Sequence, residues 1–297
     1  KVDRRLSIYS RDFIDGIPLD IAAKLLPMSA FLSFGLFAHV YLHAKSQIKN
    51  ADLDVKIRND KKISRNGMLG IIDSLENTVN KLKNSNVSTE WGDYYQNTNY
   101  SGEAKNDKEK IVFEYLTELK PDMVWDLGAN EGVFSRLAEK TGASVVSWDI
   151  DAVAVEKNYL ALKKEGGKKV TPLIQDITNP SPGIGWGNCE RQSLTERAPV
   201  NTVMALALIH HLAISNSIPF DNIAKYFSSI CENLILEFVP KSDSQVKKLL
   251  LNREDIFPNY NEEYLEFIFK RYFLINKKKN VADSDRTLYL MKSNSVC

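Results

Sequence analysis

Hydrophobic residues recur at helical spacing through roughly the first 85 residues of the chain. Ile17, Ile21 and Leu25 lie four residues apart, and a second apolar stripe runs from Met68 to Leu82. Neither stretch shows the strict alternation of a half-buried strand. The pattern therefore predicts a helical N-terminal region, with a polar loop over 56–67 between its helices.

The segment from Leu25 to Ala44 has twenty residues without a formal charge and is nominally long enough to span a bilayer. Pro27 is typical of helix punctuation, and Ser33 and His39 are among the polar residues that suit hydrocarbon poorly. Two interpretations follow, a membrane span and a buried helix of a helical domain. We expect the buried helix and no membrane partner.

From residue 108 onwards, short apolar runs alternate with amphipathic stretches, and short buried strands separated by helices indicate a parallel sheet covered on both faces. The last two apolar runs are joined by a short polar connection, which makes one strand antiparallel. The predicted helices are Lys108–Leu119, Val133–Lys140, Ala152–Lys164 and Asp221–Cys231, and the predicted strands are Met123–Leu127, Ser144–Trp148, Val170–Gln175, Thr202–Leu208, Leu234–Val239, Tyr272–Lys277 and Arg286–Met291.

Between these two regions, residues 84–106 are rich in small polar side chains but also carry large aromatic ones. Small polar residues are typical of a linker, whereas aromatic residues are unusual in a free one. We expect an ordered arm across a site, with Tyr95 and Tyr100 contacting substrate. The predicted organisation is a helical region with this arm over 1–100 and an α/β domain over 101–297.

The charges are nearly balanced, with 39 basic and 38 acidic residues, so no global field attracts nucleic acid or an anionic membrane. The three cysteines are widely separated, which indicates neither a disulfide framework nor a zinc site. We therefore expect a cytoplasmic protein with no metal and no nucleic-acid partner. The chain starts at Lys1 without a signal-peptide pattern, and we expect the natural N-terminus to lie upstream.

The strongest chemical signal is Val-Trp-Asp-Leu-Gly-Ala-Asn-Glu-Gly at 124–132. An apolar strand ends near Asp126, turns through Gly128 and Gly132, and enters a helix whose N-terminal N–H groups face a ligand. The spacing Gly-x-x-x-Gly differs from the Gly-x-Gly-x-x-Gly that holds a dinucleotide pyrophosphate. An acid before the turn repels pyrophosphate but suits a cationic amino group. The motif therefore favours S-adenosylmethionine (SAM) over NAD.

Two further acids directly follow the next two predicted strands. Asp149 lies 23 residues after Asp126, and Asp176 follows the third strand. The carboxyl ends of parallel strands share the edge at which open α/β sheets bind ligands. The alternative interpretation is ordinary helix capping, with Asp149 or Asp151 preceding the helix that begins near Ala152. Capping does not require acids at three successive strand ends, so we favour a ligand site.

The segment 124–132 resembles the glycine-rich first motif of class I SAM-dependent methyltransferases. The resemblance implies a Rossmann-like, seven-stranded, mostly parallel sheet with one antiparallel strand, SAM as cofactor and S-adenosylhomocysteine (SAH) as product. It also implies that Asp149 binds the ribose hydroxyls and Asp176 the adenine amino group, with Ile177 against the ring. The implied cofactor residues are Lys108, Asp126, Gly128, Ala129, Asn130, Gly132, Asp149, Ile150, Asp176, Ile177 and Leu206.

The fourth predicted strand is followed by His-His-Leu. This sequence resembles the one found at the same position in many small-molecule methyltransferases, and it differs from the Asn-Pro-Pro-Tyr of methyltransferases that modify bases. His210 or His211 is a candidate general base, since imidazole titrates near neutral pH. The alternative is that one histidine packs under the cofactor and the other holds a loop. Glu237, at the end of the fifth strand, is a third candidate catalytic residue, or else caps the next helix.

The connection from Asn179 to Pro199 is long for an α/β domain. Trp186, Glu190 and Arg191 in this loop are candidate substrate contacts, and a purely structural excursion is the alternative. Lys108 shares its helix face with apolar residues, so its amine either reaches inward, toward the SAM carboxylate, or extends to solvent.

Nearly the whole chain resembles a bacterial group of SAM-dependent methyltransferases, some related to nodulation proteins, whose members extend further at the N-terminus. The residues that carry this resemblance are 13–27, 179–191, 205–214 and 237–240. We therefore expect methyl transfer from SAM to a small-molecule nucleophile. The alternatives are a SAM- or SAH-binding protein without catalysis, a methyltransferase acting on nucleic acid or protein, and an oxidoreductase with a nucleotide cofactor.

Overall fold

The computed structural model describes residues 11–49, 63–82, 102–251 and 254–294. The chain divides into two units, Lys1–Val87 and Ser88–Cys297. This division falls within 83–101, which lies outside the described residues. The hydrophobic pattern places the boundary a little later in the same stretch, at 100/101.

The regular structure described in the first unit is helical. Helix α4 begins a little before the predicted Met68, because the Ser64 hydroxyl accepts a hydrogen bond from the Gly67 N–H at 3.1 Å and caps the helix. The elements are α1 (Leu19–Leu25), a 3₁₀ helix (Met28–Leu32), α2 (Phe34–Leu36), a π-helical stretch (Phe37–Leu42), α3 (His43–Lys49) and α4 (Arg65–Asn80).

The segment 25–44 is not the single buried helix that its apolar pattern predicts. Ser33 is extended, with φ −96° and ψ 110°, and separates the 3₁₀ helix from α2. Because the helix is interrupted there, no continuous apolar stripe forms, and Met28 and Leu32 are 80% and 89% exposed. Within the described residues, no helix combines the length and apolar character needed to cross a membrane.

The second unit alternates helices and strands. Helix α7 is capped by Asp151, whose carboxylate accepts from the Val153 N–H at 2.7 Å, and ends at Gly166 with φ +75°. The elements are α5 (Gly102–Leu119), β1 (Met123–Leu127), α6 (Val133–Lys140), β2 (Ser144–Asp149), α7 (Ala152–Glu165), β3 (Val170–Ile174), β4 (Val200–Ala205), α8 (Phe220–Ile230), β5 (Cys231–Phe238), α9 (Ser244–Leu250), α10 (Glu262–Phe269), β6 (Phe273–Asn280) and β7 (Thr287–Ser293).

The strands form one seven-stranded sheet in the order β3-β2-β1-β4-β5-β7-β6. Strands β1 to β5 pair in parallel, whereas β7 runs antiparallel to both β5 and β6. This sheet and its helices confirm the predicted architecture, a Rossmann-like, seven-stranded, mostly parallel sheet with one antiparallel strand and helices on both faces.

Two apolar layers cover the sheet. Residues of α5, α6 and α7, such as Val112, Phe134 and Leu162, pack on one face. Residues of α8 and α10, such as Phe227 and Phe269, pack on the other. Because both faces are buried, the carboxyl edge of the parallel strands is the part of the sheet that remains available to a ligand.

Candidate functional site

A cavity of about 360 Å³ opens at the carboxyl ends of β1, β2, β3 and β4. Strand β1 lies between β2 and β4, and its connection leads to α6 while that of β4 leads to α8 on the other face. The two connections diverge and leave a crevice, as expected where the strand order of an open α/β sheet reverses. The volume lies within the usual range of ligand pockets, roughly 300–1,000 Å³.

Most of the cofactor residues that the family resemblance implies line this cavity, but several of the other candidate site residues do not. The cofactor candidates in the lining are Lys108, Asp126, Gly128, Ala129, Asn130, Asp149, Ile150, Asp176, Ile177 and Leu206, and His211 joins them. Gly132, His210, Glu237, Trp186, Glu190 and Arg191 are not in the lining. Tyr95 and Tyr100 lie outside the described residues.

The glycine-rich turn is held against the neighbouring strand by its backbone. The N–H groups of Gly128 and Ala129 both donate to the carbonyl of Trp148, each at 2.9 Å. Gly128 has φ +73°, and a Cβ there would lie 3.2 Å from Leu208 Cδ1. A side chain at this position would therefore be strained and would crowd the cavity wall.

Gly132 ends the turn and begins α6 with φ +71°. A Cβ at this position would lie 2.2 Å from Oδ1 of Asn158, which is itself buried. Gly132 therefore permits the close approach of α6 to α7, and its contribution is to the shape of the turn rather than to the cavity wall.

Asp126 lies in β1, two residues before Gly128 and the turn. Its Oδ2 accepts a hydrogen bond from the Ser135 hydroxyl at 2.5 Å, and its side chain is almost completely buried. Burial raises the pKa of Asp126 to about 6, against the opposing effects of Ser135 and the charge of Lys108. The residue therefore carries most of its negative charge at neutral pH, beside a cavity where a cation would be stabilised.

Asp149 joins the ends of two strands. Its Oδ2 accepts from the Asn130 N–H and its Oδ1 from the Asp151 N–H, both at 2.8 Å. Burial raises the pKa of Asp149, and these backbone hydrogen bonds oppose the shift. Each oxygen of a carboxylate has two lone pairs, so the group can still accept from a ligand while it fixes the turn.

Asp176 follows β3 and closes a short turn of its own. Its Oδ1 accepts from both the N–H and the hydroxyl of Thr178, at 2.8 and 2.7 Å. Within the described part of the chain, no hydrogen bond involves Oδ2. Asp176 therefore has an acceptor oxygen for a ligand, and Ile150 and Ile177 provide apolar surface beside it.

Lys108 points inward from α5 rather than out to solvent. Its Nζ lies 2.7 Å from Glu237 Oε2 and 4.7 Å from the centre of the Phe134 ring. Burial lowers the pKa of Lys108, while Glu237 opposes the shift. The amine is therefore held at the cavity wall by a carboxylate from the end of β5.

Glu237 is completely buried behind Lys108, which differs from its expected place as a catalytic or helix-capping group at the cleft. Its Oε1 lies 3.4 Å from Arg286 Nη1, and Arg286 Nε donates to Asp243 Oδ2 at 2.8 Å. Two cations engage its two oxygens, so Glu237 does not face a substrate. The cap of α9 is Asp243, which accepts from the Gln245 N–H.

The histidine pair lies directly after β4, where Ala207 has φ +50° and His211 begins a π-helical turn. The two imidazole rings are 4.1 Å apart, and His211 lines the cavity while His210 is buried behind it. Burial lowers the pKa of His210 well below its usual value and that of His211 to about 4. Both rings are therefore neutral at pH 7, and His211 is the one that can contact a ligand.

The long connection before β4 folds into two short 3₁₀ turns and one antiparallel bridge between Ile184 and Arg191. Trp186 is 88% exposed. The loop is packed through its own backbone hydrogen bonds, such as that from Arg191 N–H to the Ile184 carbonyl at 3.1 Å. The structure therefore does not bring Trp186, Glu190 or Arg191 to the cavity.

The remaining residues of the cavity lining are not recognisable from the sequence alone, because most of them are apolar or belong to elements with weak local signals. Leu249, for instance, belongs to α9, which the hydrophobic pattern does not reveal. Arg286 was missed as a site residue because its partner Glu237 is distant in sequence. The additional lining residues are Lys105, Leu127, Phe134, Trp148, Gln175, Thr178, Ala207, Leu208, Leu212, Ser215, Asn216 and Leu249.

No family model matches the chain. A curated relative, nodulation protein NoeA of Rhizobium meliloti (strain 1021), is 32% identical over 286 residues. The two chains are homologous. The alignment covers 95% of this chain and 60% of that relative, so the chain spans less than two thirds of the length of NoeA.

Solved structures with similar folds are much more distant in sequence. The PH0226 protein from Pyrococcus horikoshii OT3 is 16% identical, with a TM-score of 0.49 over 70% of this chain and 100% of that one. Magnesium protoporphyrin IX methyltransferase from Synechocystis PCC 6803, solved with bound SAH, is 16% identical, with a TM-score of 0.46 over 67% of this chain and 90% of that one.

Proposed function

We propose that the second unit binds SAM and transfers its methyl group to a small-molecule nucleophile. The observation that carries this proposal is the meeting of Asp126, Asp149 and Asp176 with the Gly128 turn around one cavity. Local turns explain the hydrogen bonds that Asp149 accepts from the Asp151 N–H and Asp176 from Thr178, but such turns do not require three carboxylates from successive strands to line the same space.

The residues fit the chemistry of SAM part by part. Asp126 would bind the amino group, since a buried carboxylate stabilises a cation. Asp149 would accept hydrogen bonds from the ribose hydroxyls, because its oxygens retain lone pairs. Asp176 would accept from the adenine amino group, with Ile150 and Ile177 on the ring faces. A pyrophosphate would meet three carboxylates here, which disfavours a dinucleotide.

When bound, SAM supplies an electrophilic methyl group on a sulfonium. The chain supplies alignment, because the backbone bonds of Gly128 and Ala129 to Trp148 keep the turn and β2 in fixed register. The apolar wall of Leu206, Leu208 and Leu212 excludes water from the same space. His211, neutral at pH 7, accepts a hydrogen bond from the nucleophile and orients it.

The residues that β4 and the elements after it contribute to the lining favour a small and uncharged acceptor. Among them are Leu208, Leu212, Ser215, Asn216 and Leu249, whose side chains carry no charge. The balanced net charge of +1 likewise provides no general attraction for a nucleic acid. Together they support a metabolite rather than a macromolecule as substrate.

The test is transfer of a labelled methyl group. The protein is incubated with methyl-tritiated SAM and separately with bacterial small-molecule, RNA and protein fractions. The proposal predicts label in the small-molecule fraction, and a much lower rate with an Asp149→Ala variant. Label confined to RNA or protein would contradict the small-molecule acceptor, and SAH binding without any transfer would instead favour a non-catalytic binding protein.

A further inference from the structure

We infer that Glu237, Arg286 and Asp243 are positioning residues that hold the Lys108 ammonium at the cavity wall, ready to bind the carboxylate of an amino-acid group. The inference rests on the proposed SAM site, of which it names the determinants at the amino-acid end. It gives Glu237 a role that is neither catalytic nor substrate-binding.

The four side chains form a continuous chain of opposite charges. Lys108 Nζ lies 2.7 Å from Glu237 Oε2, and Glu237 Oε1 lies 3.4 Å from Arg286 Nη1. Arg286 Nε lies 2.8 Å from Asp243 Oδ2. Each oxygen of Glu237 thus engages a different cation, which fixes the orientation of its carboxylate and, through it, the position of the amine.

Burial makes this arrangement costly unless every charge is compensated. Lys108, Glu237 and Arg286 are at most 5% exposed, and an isolated buried ion would be strongly destabilising. Apolar side chains would fill the same space without that cost. The arrangement brings one charge, that of Lys108, to the cavity, since neither Glu237 nor Arg286 lines it.

A charge of the opposite sign, that of Asp126, lies at the same end of the cavity. Asp126 lines the cavity close enough to Lys108 for the two charges to interact. The Phe134 ring lies 4.7 Å from the Lys108 amine, and its face attracts the cation. A fixed cation beside a carboxylate complements the carboxylate and the ammonium of a zwitterionic α-amino acid, which is the terminal group of SAM and SAH.

The test compares SAH with 5′-methylthioadenosine, which has the same nucleoside and sulfur but no amino-acid group. Calorimetric titrations would use the wild type, Glu237→Gln and Lys108→Gln. We expect the wild type to prefer SAH, and both variants to lose about tenfold to a hundredfold in affinity for SAH, with binding of 5′-methylthioadenosine unchanged. A purely structural role would weaken both ligands together.

Glu114→Gln is the matched control, because Glu114 lies on the same helix and pairs with Lys279 at the surface. It should bind both ligands like the wild type. If thermal unfolding shows that Glu237→Gln does not fold, Asp243→Asn tests the ion pair farthest from Lys108. This variant should also lower the affinity for SAH and leave the affinity for 5′-methylthioadenosine unchanged.

Two results would overturn the inference while leaving the SAM site intact. One is equal affinity of the wild type for SAH and 5′-methylthioadenosine, and the other is an equal loss for both ligands in the variants. A wild type that binds neither ligand would overturn the proposed function, and this inference with it.

Discussion

Asp149 Oδ2, at the end of β2, accepts a hydrogen bond of 2.8 Å from the backbone N–H of Asn130, in the turn that follows β1. Its other oxygen holds the N–H of Asp151, where the next helix is capped. One carboxylate therefore ties together two neighbouring strand ends and still faces the cavity. The geometry of the turn and the proposed ribose contact depend on the same side chain.

Replacing Asp149 with Asn should weaken both binding and stability. The amide offers one acceptor oxygen, so the N–H of either Asn130 or Asp151 loses its partner, at a cost of about 1–3 kcal/mol in the free energy of unfolding. SAH affinity should fall at least about tenfold, as measured by calorimetry. Asp221→Asn, in an exposed ion pair with Arg271, is the control and should leave SAH affinity unchanged. Unaltered affinity in Asp149→Asn would exclude the ribose role.

Gly132→Ala should destabilise the fold more than Gly166→Ala does. Both glycines have positive φ, +71° and +75°, so both variants incur the left-handed cost of about 1–2 kcal/mol. At Gly166 nothing lies within 4 Å of the new Cβ, whereas at Gly132 Asn158 Oδ1 lies at 2.2 Å. Overpacking should add roughly 1–3 kcal/mol at Gly132.

Asn158 has little freedom to move away from a side chain at position 132, because its amide donates to the Ser147 hydroxyl at 2.8 Å and its oxygen accepts from Arg136 at 3.2 Å. Urea unfolding of the two glycine variants measures the difference directly. Equal destabilisation would show that Asn158 adapts without cost.

His211→Gln should reduce the loss of stability in acid. The pKa of His211 in the folded protein is about 4, below its usual 6.5. Between pH 4 and 6.5, the ring is therefore mostly protonated in the unfolded chain but mostly neutral in the folded protein. Its contribution to stability is present above pH 6.5 and is lost as the pH falls toward 4, by at most about 1.4 kcal/mol per pH unit. Denaturant titrations from pH 4 to 8 should therefore show a shallower decline in the variant, and identical slopes would contradict the burial of this ring.

Asp126→Asn should have the opposite dependence on pH. The folded pKa of about 6 exceeds the usual 3.8, so the fold holds a proton more tightly than the unfolded chain, and stability from this group is lost as the pH rises from about 4 through 6. As the pH rises from about 4 to 6, the free energy of unfolding of Asp126→Asn should therefore increase relative to that of the wild type. SAH affinity at pH 7.5 should nevertheless fall, because the charge facing the amino group is gone. If the free energy of unfolding depends on pH in the same way in the variant and the wild type, burial does not raise the pKa of Asp126.

The helices and strands could be predicted wherever the hydrophobic pattern agrees with the proline and glycine residues that bound it. The predicted bounds of β1 and α6 match the structure, because short apolar runs there are bounded by Pro121 and by the glycines of the turn. Helix α10 was missed, although Asn261 followed by Glu262 and Glu263 is a recognisable start signal, with Asn261 Oδ1 accepting from the Tyr264 N–H.

The site could be predicted only in part, because strand ends are readable in sequence and long-range pairing is not. Asp126, Asp149 and Asp176 follow apolar runs, so their shared edge was foreseeable. Arg286 reaches Glu237 because β5 and β7 pair in antiparallel register, with Glu237 opposite Leu288. No local pattern reveals that register, so the sequence predicts Glu237 at the cleft, whereas the structure places it in a buried ion pair.

The most direct test of the central claim is calorimetric titration of the purified wild-type protein with SAH and, separately, with NAD. The carboxylate-lined cavity predicts saturable binding of one SAH per chain, no binding of NAD, and loss of the SAH signal when Asp149 and Asp176 are both replaced by alanine in a protein that still unfolds cooperatively. Binding of NAD without binding of SAH would contradict the account.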